Sequence, residues 1–204
     1  KAALLSSLAG QLPFSGSALT DSAASCGRRK NFLFYPSRQD MREEEDVFQT
    51  VLSGRAPHKR FLSSYTAFDI QTAEEMISWF ALQDVRNKSL GGLPDSLYKM
   101  AVLAHHAAYG APVLLLDNPE DGLDICARMR LVRALRKYVF EGKRSVIFAT
   151  NDLNFASQAA DRFLALKAGK AAAYGAMDVI TEELIREVFG CEEKKKKNVY
   201  NGRP

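Results

Sequence analysis

The chain has 204 residues, of which 47% are hydrophobic and 25% are charged, as is usual for a globular protein. The net charge of +4 includes the lysine run 194–197, so the remainder is close to neutral and no large nucleic-acid-binding face is expected. The three cysteines are widely spaced and form no metal or disulfide pattern, and no apolar run approaches the roughly 20 residues of a membrane span.

Hydrophobic periodicity, together with Gly and Pro positions, divides the chain into short helices and strands. The predicted elements are, in chain order, a helix over 2–9, a strand over 31–36, helices over 41–55, 72–83 and 96–109, a strand over 113–117, a helix over 125–139, a strand over 144–150, a helix over 153–161, a hairpin over 162–175 and a helix over 181–190. Acidic residues are expected in the first turn of the 41–55 helix. Thr72 and Glu75 predict a capping box in the next helix. The hairpin is expected to turn at Ala168–Gly169.

Strands that alternate with helices predict an α/β fold with a mainly parallel sheet. The block from 41 to 108 is helical and has no predicted strand, so we expect it to be an inserted helical subdomain. The core would then be discontinuous, over 1–40 and 109–190. The segment 191–204 is expected to be a polar tail.

Five stretches follow one another in an order typical of one protein family. They are "KAALLSSLAG" (1–10), "DVFQTVLSGRAPH" (46–58), "APVLLLDNPEDGLD" (111–124), "VIFATNDLNFASQAADRFLALKAGK" (146–170) and "TEELIREVFG" (181–190). The chain resembles the ATP-binding subunits of ABC transporters, above all the branch that serves iron-siderophore, haem and cobalamin importers. The resemblance implies a P-loop NTPase-like, ABC-type α/β fold, with ATP and Mg²⁺ as cofactors.

The first stretch resembles the end of a Walker A loop. Lys1 matches its phosphate-binding lysine, although a lone lysine at this place is otherwise an ordinary solvated residue. Ala2 stands where a Ser or Thr hydroxyl would bind magnesium, and it has no oxygen to offer. The glycines that precede the lysine are absent from the sequence, so the true N-terminus is expected to be missing. At the Q-loop, Ser37 stands in place of the usual glutamine. One alternative is that Gln39, two residues later, substitutes for that glutamine. Another is that Ser37 is only a turn residue after Pro36.

The third stretch resembles a Walker B strand followed by a D-loop. Asp117 matches the aspartate that holds magnesium, the alternative being a strand-end carboxylate that caps a turn. Asn118 stands in place of the glutamate that polarises the attacking water, and an amide cannot accept a proton. Asp124 matches the D-loop aspartate, and Asn151 stands in place of the H-loop histidine. No catalytic residue of the family pattern is intact, because Ser37, Asn118 and Asn151 occupy its catalytic positions.

Two further segments matter for the implied site. The signature, which usually reads LSGGQ, falls on Leu93–Leu97, where Pro94 and Asp95 favour the start of a helix. The alternative is a shift that uses Leu90–Gly92. Glu120 and Asp121 follow Pro119 and are expected to be solvated.

The resemblance implies an ATP-binding subunit of an importer for iron complexes or cobalamin. Five departures from the family pattern (Ala2, Ser37, the signature, Asn118 and Asn151) predict impaired or absent ATP hydrolysis. Alternatives left open are an ordinary ATPase subunit, a scaffold or pseudo-ATPase, and a decayed fragment. The implied partners are membrane permease subunits and a second ATP-binding subunit, as a homo- or heterodimer, at the cytoplasmic face of the cell membrane. Nucleic acid is not an expected partner.

Overall fold

The computed structural model describes residues 1–13, 15, 32–35, 44–60 and 62–190. Ser37, Gln39 and the tail 191–204 lie outside these residues. The chain divides into two compact units, Lys1–Ala159 and Ala160–Pro204, which are described separately. Within the described ranges, no helix has the length and apolar character needed to cross a membrane.

The centre of the first unit is a three-stranded parallel sheet in the order β1–β2–β3. The strands are β1 (Phe32–Tyr35), β2 (Val113–Asp117) and β3 (Ser145–Ala149). The middle strand β2 is buried along its whole length, because it has a neighbour on each side and is covered on both faces. The register pairs Asp117 with Ala149, so β2 and β3 end side by side. The parallel sheet predicted from the sequence is confirmed.

The side chains of β2 alternate between two apolar clusters, one on each face of the sheet. Val113 and Leu115 pack with Leu5 of α1 (Ala2–Leu8) in the smaller cluster. Leu114 and Leu116 belong to the larger cluster, which the helices on the opposite face form. The middle strand β2 is therefore enclosed between helices, whereas β3 is partly exposed.

Among the described residues of the first unit, five further α-helices follow α1. They are α2 (Val47–Ser53), α3 (Ala67–Trp79), α4 (Asp95–Tyr109), α5 (Ile125–Phe140) and α6 (Leu153–Ala159). Fully buried side chains from α2 to α5, such as Val51, Met76, Met100 and Leu131, form one continuous core with the sheet. This core fixes the direction in which β2 and β3 present their ends.

Two predicted helix starts were wrong. The helix expected from residue 41 begins at Val47, after Asp46, whose carboxylate accepts a hydrogen bond from the Gln49 backbone N at 2.7 Å. No acidic residue lies in its first turn, and residues 41–43 lie outside the described part of the chain. An N-terminal cap was therefore mistaken for a first turn, because both favour acidic residues.

The predicted capping box at Thr72 and Glu75 was also wrong. The helix α3 begins five residues earlier, and its capping box is formed by Thr66 and Asp69. The first turn was missed because Phe68 is largely exposed and does not extend the apolar face of the helix. Thr72 lies inside the helix, where its hydroxyl donates to the Phe68 carbonyl at 2.8 Å.

The end of α2 is tied to both neighbouring helices through Arg55. Its Nε donates to Asp69 Oδ1 at 3.0 Å, and its Nη1 donates to the carbonyl oxygens of Ala108 and Tyr109 at 3.0 and 3.2 Å. Arg55 and Asp69 are only 7% and 5% exposed. This buried ion pair joins α2, α3 and the end of α4, the helix that leads into β2.

The described part of the second unit contains an antiparallel hairpin, a short 3₁₀ helix (Met177–Val179) and an α-helix. Its strands are β4 (Phe163–Lys167) and β5 (Lys170–Gly175), and its helix is α7 (Glu182–Phe189). The predicted turn at Ala168–Gly169 is confirmed, and both residues have positive φ, as a two-residue hairpin turn requires. Thr181 caps α7 by accepting from the Leu184 backbone N at 3.2 Å.

Candidate functional site at the ends of β2 and β3

The candidate site lies where β2 and β3 end. The Asn118 backbone N donates to the Ala149 carbonyl at 2.9 Å and so extends the pairing one residue beyond the last strand pair. The two chain segments then diverge into the loops that lead to α5 and α6. In open α/β folds, ligands bind outside the carboxyl ends of the strands. Half of the site residues predicted from the sequence lie at or after the ends of these two strands, namely Asp117, Asn118, Asp124 and Asn151.

Asp117 is the last residue of β2 and is 8% exposed. Its Oδ1 accepts a hydrogen bond from Asn118 Nδ2 at 3.3 Å. Within the described ranges, no Lys, Arg or His nitrogen forms an ion pair with it. A buried carboxylate of this kind is costly unless a cation or several hydrogen bonds compensate it. Asp117 is therefore suited to bind a ligand as well as to end a strand.

Asn118 has a backbone φ of +46°, in the left-handed region. Asparagine is among the few residues other than glycine that adopt this conformation readily. Lys99 of α4 stabilises the same turn, because its Nζ donates to the Asn118 carbonyl at 3.3 Å and to the Asp121 carbonyl. Burial lowers the pKa of Lys99. The amide of Asn118 is thus held beside Asp117 by its backbone as well as by its own hydrogen bond.

Glu120 does not have the solvated position expected of it. It is only 5% exposed, and its Oε1 accepts a hydrogen bond from the Thr150 hydroxyl at the end of β3. Its Oε2 is buried and has no hydrogen-bond partner among the described residues. The turn folds inward because apolar residues on both sides of it, Leu116 and Leu123, are anchored in the core. Asp121, by contrast, is exposed as expected.

The loop after β3 brings Lys1 and Asn151 together. Lys1 Nζ donates to the Thr150 carbonyl at 2.8 Å and to Asn151 Oδ1. Ala2 follows as the first residue of α1 and offers no side-chain oxygen. Lys1 and Asn151 are both exposed. The structure therefore places two of the predicted site residues in direct contact, at the same sheet edge as Asp117.

A hydrogen-bond network joins the two loops. The Thr150 hydroxyl donates to Glu120 and accepts from the Asp152 backbone N at 2.8 Å. The Asp152 carboxylate accepts from the Phe155 backbone N at 2.9 Å and from Arg128 at 2.6 Å. These contacts, with the Phe155 N–H as the largest contribution, lower the pKa of Asp152. Arg128 of α5 also donates to the Leu123 carbonyl at 3.0 Å, so the loop after β2 is held from two sides.

The remaining predicted positions are Asp124, the signature region, Ser37 and Gln39. Asp124 caps α5, since its Oδ1 accepts from the Ala127 backbone N at 2.8 Å; its contact with a nucleotide stays a prediction. In the signature region, α4 begins at Asp95 after Pro94, as the helix-start interpretation predicts, and Leu90–Gly92 forms a short 3₁₀ helix. Ser37 and Gln39 fall outside the described residues, so their roles stay predictions.

The side chains present fit a magnesium ion in part. Mg²⁺ is usually bound by one or two carboxylates together with water and phosphate oxygens. Asp117 and Glu120 are buried carboxylates. The Oε2 of Glu120 has no hydrogen-bond partner among the described residues, so it is available as a metal ligand. No group of three or more His, Cys, Asp or Glu side chains suited to a metal occurs among the described residues. A cation here would therefore need oxygen ligands from a phosphate or from water.

Two known proteins with similar sequences are import ATP-binding proteins. No protein-family model matches the chain. The petrobactin import ATP-binding protein FpuC of Bacillus anthracis is 27% identical over 164 residues, which are 80% of this chain and 60% of that protein. The hemin import ATP-binding protein HmuV of Gloeobacter violaceus is 30% identical over 210 residues, covering 94% of this chain and 74% of the relative.

The fold has a counterpart among solved structures. A metal-chelate type ABC transporter in an inward-facing conformation superimposes with a TM-score of 0.78 at 19% identity, over 93% of this chain and 72% of that one. At this identity the likeness shows the fold, which is that of ABC-type P-loop NTPases. The chain spans less than two thirds of the length of the petrobactin protein. Its sequence and fold together show that the chain belongs to the family of ABC ATP-binding subunits that serve siderophore, haem and cobalamin importers.

Proposed function

We propose that the chain is the ATP-binding subunit of an importer for iron complexes or cobalamin, and that it hydrolyses ATP poorly or not at all. The relatives named above support the transport role, since both are described as import ATP-binding proteins. ATP and Mg²⁺ are the proposed ligands. Lys1 would contact a phosphate, Asp117 would bind the cation, and Asp124 would lie near the nucleotide.

The observation that supports impaired hydrolysis is the state of Asn118. Directly after Asp117, the reaction needs a group that accepts a proton from water, and an amide cannot do so. Asn118 Nδ2 instead donates to Asp117 at 3.3 Å, so its NH₂ group is oriented towards the carboxylate. Loss of a general base typically costs about 10²–10⁴ in rate. Ala2 and Asn151 depart from the family pattern in the same direction.

The proposed partners are membrane permease subunits and a second ATP-binding subunit, in a homo- or heterodimer at the cytoplasmic face of the membrane. Nucleic acid is not proposed as a partner. We also propose the division into a nucleotide-binding core over 1–40 and 109–190 and a helical subdomain over 41–108. The described residues of that subdomain form helices and one isolated β-bridge, Asp46 with Ser89, which supports this division.

One observation favours a second candidate, a subunit that retains the fold as a scaffold and does not bind nucleotide. Lys1 Nζ already contacts two oxygens of the β3 loop, the Thr150 carbonyl and Asn151 Oδ1. A phosphate would have to compete with these contacts. A histidine at position 151, with a ring nitrogen in place of the amide oxygen, would not hold the ammonium in the same way. A decayed fragment without activity is the extreme form of this candidate.

Calorimetry with Mg–ATP and the full chain as it occurs in the cell separates these functions. Micromolar binding without phosphate release supports the proposed subunit. A matched Asp117→Asn variant should then bind ATP with a weaker dependence on magnesium, whereas Asp121→Asn, an exposed neighbour, should not. Absence of binding favours the scaffold. Turnover at a rate typical of enzymes, about 1 s⁻¹ or more, contradicts the claim of impaired hydrolysis.

A further inference from the structure

Two buried carboxylates lie three residues apart at the end of β2. Asp117 is 8% exposed and Glu120 is 5% exposed. Neither forms an ion pair with any residue in the described ranges. Lys99 contributes a favourable field, but its ammonium contacts the backbone carbonyls of Asn118 and Asp121 and not a carboxylate oxygen. Within the described chain, no Lys, Arg or His nitrogen therefore lies within ion-pair distance of either carboxylate.

The position of Glu120 is fixed on one side only. Its Oε1 accepts from the Thr150 hydroxyl, which is itself oriented by the Asp152 backbone N. Its Oε2 is buried without a partner. Buried polar atoms are nearly always paired, so an orphaned carboxylate oxygen needs an explanation, and an ion that binds there is one. Thr150 would hold the side chain in place while the second oxygen is free to bind.

We propose that Glu120 is a ligand, directly or through a water molecule, of the divalent cation that Asp117 binds. The inference rests on the proposed function only in that this cation would be the magnesium of Mg–ATP. A cation bound by both carboxylates would neutralise their charge and satisfy the unpaired oxygen of Glu120. Ala2 supplies no oxygen, so Glu120 also adds a protein ligand to a site that is otherwise poor in them.

The test measures Mn²⁺ binding to the full chain by electron paramagnetic resonance, because free Mn²⁺ gives a signal that bound Mn²⁺ loses. Titrations are made with and without a non-hydrolysable ATP analogue. Glu120→Gln keeps the shape and the acceptor for Thr150 but removes the charge. We expect it to weaken Mn²⁺ binding by about 10-fold or more, a loss of the size found when groups that support a metal site are removed. Asp121→Asn is the matched control and should change binding less than twofold.

A second variant guards against misfolding. Thr150→Val leaves both carboxylates in place and removes only the hydroxyl that orients Glu120, so binding should weaken by a smaller factor than in Glu120→Gln. The fluorescence of Trp79, the only tryptophan, reports whether each variant is folded. If Glu120→Gln does not fold, Thr150→Val decides: binding within twofold of the wild type overturns the proposal.

The outcomes separate this inference from the proposed function. If Glu120→Gln binds Mn²⁺ like the wild type while Asp117→Asn does not, Glu120 only supports the loop and the proposal is wrong. If the wild type binds no Mn²⁺ in either titration, the proposal is also wrong. If Mn²⁺ binds in a Glu120-dependent way but the nucleotide does not, the inference stands and the proposed ATP binding fails.

Discussion

Replacing Arg55 with methionine should destabilise the first unit by about 3 kcal/mol. The residue is 7% exposed, and its side chain donates three hydrogen bonds, one to Asp69 Oδ1 and two to carbonyl oxygens at the end of α4. Breaking a buried ion pair from one side typically costs about 3–5 kcal/mol, because the remaining charge stays buried. The lower end applies because Asp69 keeps its hydrogen bonds from the Thr66 hydroxyl and backbone N at 2.7 and 2.9 Å.

Urea unfolding followed by Trp79 fluorescence measures this loss, since Trp79 is the last residue of α3. The matched control is Glu74→Gln, which breaks a partly exposed pair with Arg86 and should cost less than about 1 kcal/mol. Adding Asp69→Asn to Arg55→Met removes the uncompensated charge, so the double variant should be less destabilised than the two single losses added together. A cost for Arg55→Met no larger than that of the control would refute the reasoning.

Three further predictions concern pH, packing and chemistry. Hydrogen bonds from the Thr66 hydroxyl and backbone N, together with Arg55, lower the pKa of Asp69 from 3.8 to about 2 in the folded chain. The ionised carboxylate therefore contributes stability above pH 4, and this contribution is lost as the pH falls towards 2. The free energy of unfolding measured against pH should show this loss in the wild type and not in Asp69→Asn. A Cβ on Gly54 would lie 2.1 Å from a backbone carbonyl oxygen of α4, so Gly54→Ala should lower the free energy of unfolding by roughly 1–3 kcal/mol. Gly92→Ala is the control, because a Cβ there meets nothing within 4 Å. Equal melting temperatures for the two variants would contradict this prediction. Asn118→Glu alone should not produce measurable phosphate release from ATP. Ala2 and the other departures from the family pattern remain, and a larger acidic residue at a φ of +46° is strained. Steady turnover by this variant would show that Asn118 is the only defect.

The sheet could be predicted because its sequence signals are local. The apolar run 113–116 is bounded by Pro112 and Asp117, and such a run predicts a buried strand whatever surrounds it. The hairpin turn at Ala168–Gly169 is equally local. The start of α3 could not be predicted in the same way, because its first turn exposes Phe68 and its capping acid, Asp69, is held by the distant Arg55.

The sequence singles out candidate site residues only where the residue type and its local position suggest a role. Asp117 attracts notice as a carboxylate at the end of a buried strand, and the resemblance to a Walker B strand assigns roles to Asp117 and Asn118 that stay predictions. Glu120 was missed because its burial depends on the path of the turn between Leu116 and Leu123 and on Thr150, 30 residues away. The contact between Lys1 and Asn151 is likewise long-range, and sequence spacing does not encode which loop meets which.

The structure gives the substitutions after β2 a common physical explanation. In the pattern that the chain resembles, the strand ends on an aspartate followed at once by a glutamate; here the second carboxylate follows three residues later, at Glu120. The number of carboxylates at the strand end is therefore the same, but the second one, Glu120, is held by the Thr150 hydroxyl of the neighbouring loop. A cation needs charge and oxygen ligands close by, but general-base catalysis needs one oxygen within hydrogen-bond reach of the attacking water. If Glu120 binds the cation as proposed, a carboxylate at 120 in place of 118 would meet the first requirement without the second. This is the combination expected of the proposed subunit, which binds Mg–ATP and hydrolyses it poorly or not at all.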